Sequence, residues 1–281
     1  MSAPSDEAQP AVPAPFQDPQ WRPTVTLAGL LDEVGLLLGS GSAVMYQLAV
    51  WGVGKGVAVH STTMQRPVDR LRTTLTYVYV MGLGTDDERR AVARMVNKAH
   101  VPVRGEGYSA FDPDLQLWVA ATLAEVGREM YERIFGPLDE ATLEHLYREG
   151  WVYGTALQVK PEMWPPTRAD FDRYWERMQG EFRSDPQIQR YAAALLSARD
   201  AKWFVKPLSP LISLVTRGNL SPAAREALAL SWSERDQRRY DRFWRLVRIV
   251  YPRIPRWVRS LPARFAMVEV RWRMRTGRRV I

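Results

Sequence analysis

The chain has 281 residues, 46% of them hydrophobic, enough to bury a large core. It contains no Cys, which excludes disulfides, Cys-type zinc sites, iron–sulfur clusters and thiolate-ligated haem. The net charge of +8 is uneven: Arg235 to Arg279 holds 15 Arg against Asp236, Asp241 and Glu269, so this segment is +12 and the rest −4.

Residues 1–22 are rich in Pro, Ala and acid, with neither a basic start nor an apolar core. They read as a disordered tail and not a signal peptide, which makes the cytoplasm the expected compartment. From residue 23 to 281 no linker or repeat divides the sequence, and a single helical domain is expected. Gly35 to Val59 is apolar apart from Gln47, Lys55 and some Ser. Its five glycines from Gly39 to Gly56 favour a buried, closely packed helix over a membrane span.

Apolar residues recur at three and four, not at two, so the fold class is all-α. Pro67 can open a helix that carries Leu71, Leu75 and Val78 on one face and Arg70, Thr74 and Tyr77 on another. Thr85-Asp-Asp-Glu88 places acid at the start of the next helix, where the dipole favours it. In that helix Val92, Val96 and His100 share a face, and Pro102 should end it near His100. An imidazole therefore points toward the core, either as a satisfied helix-end histidine or as a ligand.

Asp112-Pro113 caps a further helix running through Leu115, Trp118, Val119, Val126 and Met130. Other starts fall at Thr167, Asp185-Pro186, Ser221-Pro222 and Ser233. In the Arg-rich segment, Tyr240, Phe243, Trp244, Val247 and Tyr251 keep helical spacing opposite Arg238, Arg242 and Arg245. That pattern predicts an amphipathic helix docked on the body. A like-charged segment can also serve as a nucleic-acid or anionic-membrane surface; peripheral membrane association stays open, and nucleic acid is the weaker candidate.

His-Glu-x-x-His, Gly-x-Ser-x-Gly, phosphate-loop and dinucleotide-binding motifs are all absent. No acid lies three residues before His60, His100 or His145, against a carboxylate-bridged di-iron bundle. What remains is one core-facing histidine with apolar walls and arginines, an inventory that suits haem: a nitrogen for iron, apolar contacts for the porphyrin, cations for its carboxylates. Arg70 and Thr74 lie one turn apart, and Arg104 follows His100.

From Gly39 to about Phe182, with a looser echo to Leu230, the sequence resembles the family of the rubber-cleaving latex clearing protein and the fungal mpaB oxygenase. The matching elements are Gln47, His60-Ser61, Arg70 with Thr74, Gly84-Thr85, His100 followed by Val103 and Gly105, Tyr108, Ala110, Asp112-Pro113 and Leu117-Trp118-Val119. The resemblance implies a globin-like helical core holding haem b, with His100 as axial ligand and Arg70, Thr74, Arg104 and Trp118 around the group. It further implies an oxygenase that uses dioxygen and an unidentified electron donor on a lipophilic or aromatic small molecule. His60 is the other histidine in a family motif and the candidate catalytic residue. The chain departs from the pattern at Thr73, where latex clearing protein has a lysine able to contact iron, and at Ala120, where relatives commonly have histidine. Trp51 stands near a position commonly held by proline. Two alternatives stay open: a non-catalytic haem sensor or carrier, and a helical protein acting through its Arg-rich surface.

Overall fold

The computed structural model describes residues 22–60, 67–197 and 206–281. The expected tail therefore lies, up to residue 21, outside the described residues, as does Ser61. The fold is all-α. In chain order the helices are α1 Leu27–Leu31, α2 Ser40–Ala49, α3 Trp51–His60, α4 Pro67–Leu83, α5 Asp86–His100, α6 Pro113–Phe135, α7 Glu140–Gly150, α8 Val152–Thr155, α9 Arg168–Gly180, α10 Pro186–Ser197, α11 Ser209–Gly218, α12 Pro222–Ala227, α13 Glu234–Val250, α14 Arg256–Arg259 and α15 Leu261–Arg275. A two-stranded antiparallel hairpin pairs β1 Arg104–Gly105 with β2 Tyr108–Ser109; Gly107 in its turn has φ +76°.

The helix starts follow from local chemistry. Thr85 and Glu88 form a reciprocal cap on α5, and the Asp112 carboxylate accepts from the Asp114 and Leu115 amides with Pro113 in the first turn of α6. Thr167, Ser221 and Ser233 cap α9, α12 and α13, while Asp185 accepts from the Gln187 and Ile188 amides at the head of α10. α5 ends at His100, two residues before Pro102.

The core is organised around α6, which buries Leu117, Trp118, Ala121, Val126, Met130 and Ile134 and packs against α2, α7, α8 and α13. A helix apolar over most of its circumference belongs inside a protein. On α13, Tyr240 and Trp244 are buried and Phe243 and Val247 pack on the core, so the expected apolar face docks as the spacing predicts.

The apolar stretch Gly35–Val59 is not one helix. It divides into a 3-10 segment, Val34–Gly39, then α2 and α3, with a 108° bend at Val50. At Gly54 a Cβ would stand 2.4 Å from the Leu48 carbonyl oxygen, and at Gly52 one would stand 2.8 Å from Leu115. The glycines thus let the chain fold back on itself and onto α6. No single helix among the described residues is long and apolar enough to cross a membrane, although this bent pair passes on length and composition.

Candidate functional site

A cavity of about 680 Å³ opens between α2, α3, α4, α5, α6 and α10. This lies within the ~300–1,000 Å³ of small-molecule and cofactor sites. Aliphatic side chains such as Val53, Val57, Val78, Val96, Val119 and Leu123 supply much of its wall, with a few polar groups among them. That mixture excludes most competing hydrogen-bond partners while fixing the orientation of whatever enters.

His100 reaches the cavity from the last residue of α5, edge-on to Phe111 with ring centroids 6.5 Å apart. Its position is fixed by a polar chain one helical turn earlier. Gln158 donates from Nε2 to Asn97 Oδ1 at 3.0 Å, and its amide donates to Gln116 Oε1 at 2.9 Å, tying α5 to α6. After the helix, the Val103 amide donates to the His100 carbonyl at 2.8 Å. Among the described residues His100 Nδ1 is buried with no hydrogen-bond partner. Burial, with the Arg70 cation adding to it, holds the imidazole pKa below its ordinary value, so the ring is neutral at neutral pH and keeps a lone pair.

Arg70 and Thr74 stand on the α4 wall of the same cavity. The Arg70 side chain is exposed to solvent at the cavity edge; the surrounding wall partly desolvates it, which lowers its pKa from the usual arginine value, with Tyr191 acting in the opposite sense, and the guanidinium stays charged. Thr73 and Thr74 each donate a hydroxyl to the Arg70 carbonyl, at 3.0 and 2.9 Å. Both threonine hydroxyls are therefore engaged with the helix backbone.

His60, the last residue of α3, lies on the cavity wall with Nε2 3.2 Å from the Tyr108 hydroxyl. Tyr108 stands edge-on to both His60 and Trp51, each pair of centroids 6.2 Å apart. Either partner can hold the proton between them, according to the imidazole tautomer.

Of the residues singled out in the sequence, the cavity brings together His60, Arg70, Thr74 and His100 and leaves two outside. Arg104 is exposed on β1. Trp118 is fully buried behind the wall, donating Nε1–H to the Tyr46 carbonyl at 3.0 Å and packing against Trp175 at 4.9 Å. Ala120 is fully buried and faces Gly154, where a Cβ would stand 3.2 Å from its own; it does not line the cavity.

Sequence reading missed Tyr191 on α10. This side chain is buried, lines the cavity and has a hydroxyl without a hydrogen-bond partner among the described residues. A phenol within the stripe Ile188, Tyr191, Ala192, Leu195 was the available signal. It was faint, because a tyrosine in such a stripe ordinarily finds a partner in the core.

No group of three or more His, Asp or Glu able to hold a bare metal ion occurs among the described residues. A porphyrin-held iron makes a smaller demand, one protein nitrogen, and the neutral, unpartnered His100 with Arg70 on the adjoining wall is a donor set that fits haem.

The sequence model of the family described as "ER-bound oxygenase mpaB/B'/Rubber oxygenase, catalytic domain" matches residues 29–249. A protein of Mycobacterium bovis and one of Mycobacterium tuberculosis, both described as uncharacterized, are each 34% identical over 256 residues, covering 88% of this chain and 100% of theirs. No solved structure matches the chain significantly.

Proposed function

This chain belongs to the mpaB/rubber-oxygenase catalytic-domain family, and from that premise we propose that it is a haem b-dependent oxygenase acting on a lipophilic or aromatic small molecule. His100 would be the protein ligand to iron, in a core that is globin-like as the resemblance implies. The single observation that carries this reading is the buried, unpartnered Nδ1 of His100 on the wall of a largely aliphatic cavity. Leaving a buried polar nitrogen without a partner costs about 1–3 kcal/mol, a cost that a bound group would remove.

Bound haem, reduced by an external electron donor, supplies the activation of dioxygen. The chain's own residues do the rest. The lowered pKa of His100 keeps its imidazole from being lost to a proton. Arg70 offers the cation for carboxylates at the cavity edge, and the Asn97–Gln158–Gln116 chain holds the α5 terminus still. His60 and Tyr108 form an imidazole–phenol pair on the wall, and His60 is the candidate for holding or moving a proton at Nε2. The aliphatic wall excludes water and selects an apolar substrate.

The test is the absorption spectrum of purified protein, oxidised and reduced, followed by turnover with dioxygen and a reductant. A Soret band that shifts on reduction is expected, and His100→Ala should lose most of the haem while keeping its helical content. A protein made with adequate haem supply that shows no Soret band, and gains none on titration, overturns the proposal. A His100→Ala variant with wild-type haem content and spectrum would remove His100 from its role, and haem without turnover would favour a sensor or carrier.

A further inference from the structure

α15 is apolar on two opposite faces, and among the described residues only one of them has a partner. Ala263, Met267 and Val270 are buried, on a face that packs against α4. Phe265, Val268 and Trp272 lie about half a turn around the helix from them. These three are 68%, 63% and 44% exposed. Exposed apolar side chains scattered singly are ordinary, but three stacked in one row are an unused contact surface. Trp257, 63% exposed, stands on α14, which packs against α15.

The charges beside this row select the partner. Arg264, Arg271 and Arg275 form a second row along one edge of it, at the helical spacing that keeps them together. The Arg278 guanidinium lies 4.4 Å from the centroid of the Trp272 ring. Between Arg256 and Arg279 there are eight Arg and one acid, Glu269. Arg271 pairs with Glu88 and Arg273 with Glu269, whereas among the described residues Arg264 and Arg275 form no ion pair. Exposed Phe and Trp bordered by a row of arginines match the headgroup zone of a bilayer, where aromatic rings enter the interface and guanidinia meet lipid phosphates and carboxylates. A second copy of this chain would bring a like-charged row against this one, which is unfavourable.

We propose that the outward face of α15, with Trp257, docks the protein on an anionic lipid surface. The arrangement is peripheral: α15 lies along the surface with its inner face still packed on α4. This inference is independent of the haem proposal and can fail without it.

The test uses the full-length protein and sedimentation with phosphatidylcholine vesicles containing or lacking phosphatidylserine, at low and high salt. Binding is expected only to the anionic vesicles, weakening as salt rises. Phe265→Ser with Val268→Ser should weaken it about tenfold or more, because less apolar area enters the interface. Arg264→Gln with Arg275→Gln should weaken it comparably. As all four positions lie at the surface, helical content and melting temperature should be unchanged, and measuring both separates lost binding from lost folding. A control, Arg90→Gln with Arg94→Gln on α5, removes the same charge from a different exposed site. Three outcomes overturn the proposal: no wild-type binding to anionic vesicles, equal weakening by the control, or a concentration-dependent dimer that Phe265→Ser/Val268→Ser abolishes while vesicle binding is absent.

Discussion

Tyr191 and His100 put the same question to the cavity from two walls. A phenol buried with no partner loses its hydration and gains nothing, so Tyr191→Phe should leave stability unchanged or raise it by about 1 kcal/mol. If the hydroxyl meets a ligand, the same variant should change the visible spectrum or small-molecule affinity of haem-loaded protein while its melting temperature holds. A variant that melts much lower would show an ordinary packing role. For His100 the sign of the pH dependence follows from its depressed pKa: the unfolded chain takes up a proton near the ordinary histidine pKa of about 6.5, and the folded chain resists it. Stability of the haem-free protein should therefore fall as pH drops below about 6.5. Denaturant unfolding at successive pH values should show a weaker fall in His100→Gln. The position of His100 at a helix end was legible from Val92, Val96 and Pro102. Its lack of a partner was not, because that depends on what α6 and α4 bring to the opposite side.

α6 carries a similar lesson at the scale of the element. The Asp112-Pro113 cap announced its start, yet nothing in the sequence pairs Glu125 with Arg168, 43 positions away. The buried Glu125 carboxylate receives both Arg168 terminal nitrogens at 2.6 and 2.8 Å, and Arg128 Nη2 at 2.6 Å, which locks α9 onto α6. Burial alone would raise the Glu125 pKa; the two guanidinia outweigh it and hold the carboxyl below the usual range. Its contribution to stability is thus present above the unfolded carboxylate pKa of about 4.3 and is lost as pH falls through the lower folded value. Glu125→Gln leaves Arg128 with only Glu132 and Arg168 with only Asp172 as ion-pair partners and puts a neutral amide where both guanidinia point, so it should cost about 3 kcal/mol in denaturant unfolding. On α13 the opposite faces should behave differently. Trp244→Ala removes a buried ring and should cost about 3–5 kcal/mol, whereas Arg242→Gln at the exposed face should change stability by about 0–1 kcal/mol. Comparable losses from both would mean that the arginine face, too, packs on the body. That docked face was readable from spacing alone. The apolar outer row of α15 was not, because which of two apolar faces finds a partner is decided by the approach of α4.

At the scale of the whole molecule, local signals and long-range contacts divided the work. Caps and prolines marked the starts of α4, α5, α6, α9, α10, α12 and α13, because a cap is satisfied within four residues. The 108° bend at Val50 depends instead on Gly52 and Gly54 coming against Leu115 and Leu48, contacts that exist only once α2, α3 and α6 assemble. That assembly leaves the 680 Å³ cavity beneath His100 and Arg70, so a large part of the interior of the ligand-free chain has no packing partner. A group that binds only the folded state stabilises it by an amount that grows with the logarithm of its free concentration relative to its dissociation constant, about 4 kcal/mol at a thousandfold excess. For a chain of this size each kcal/mol moves the melting temperature by roughly 2–4 °C. Haem titrated into haem-free protein should therefore raise the melting temperature by about 10 °C, with the increase growing as free haem increases. His100→Ala should melt close to the haem-free wild type and respond weakly, since its cavity is intact but its iron ligand is gone. Scanning calorimetry of both proteins across a haem series decides the matter: an equal rise in the two would mean that the cavity binds the porphyrin without using His100, and no rise in either would mean that the cavity was built for a different occupant.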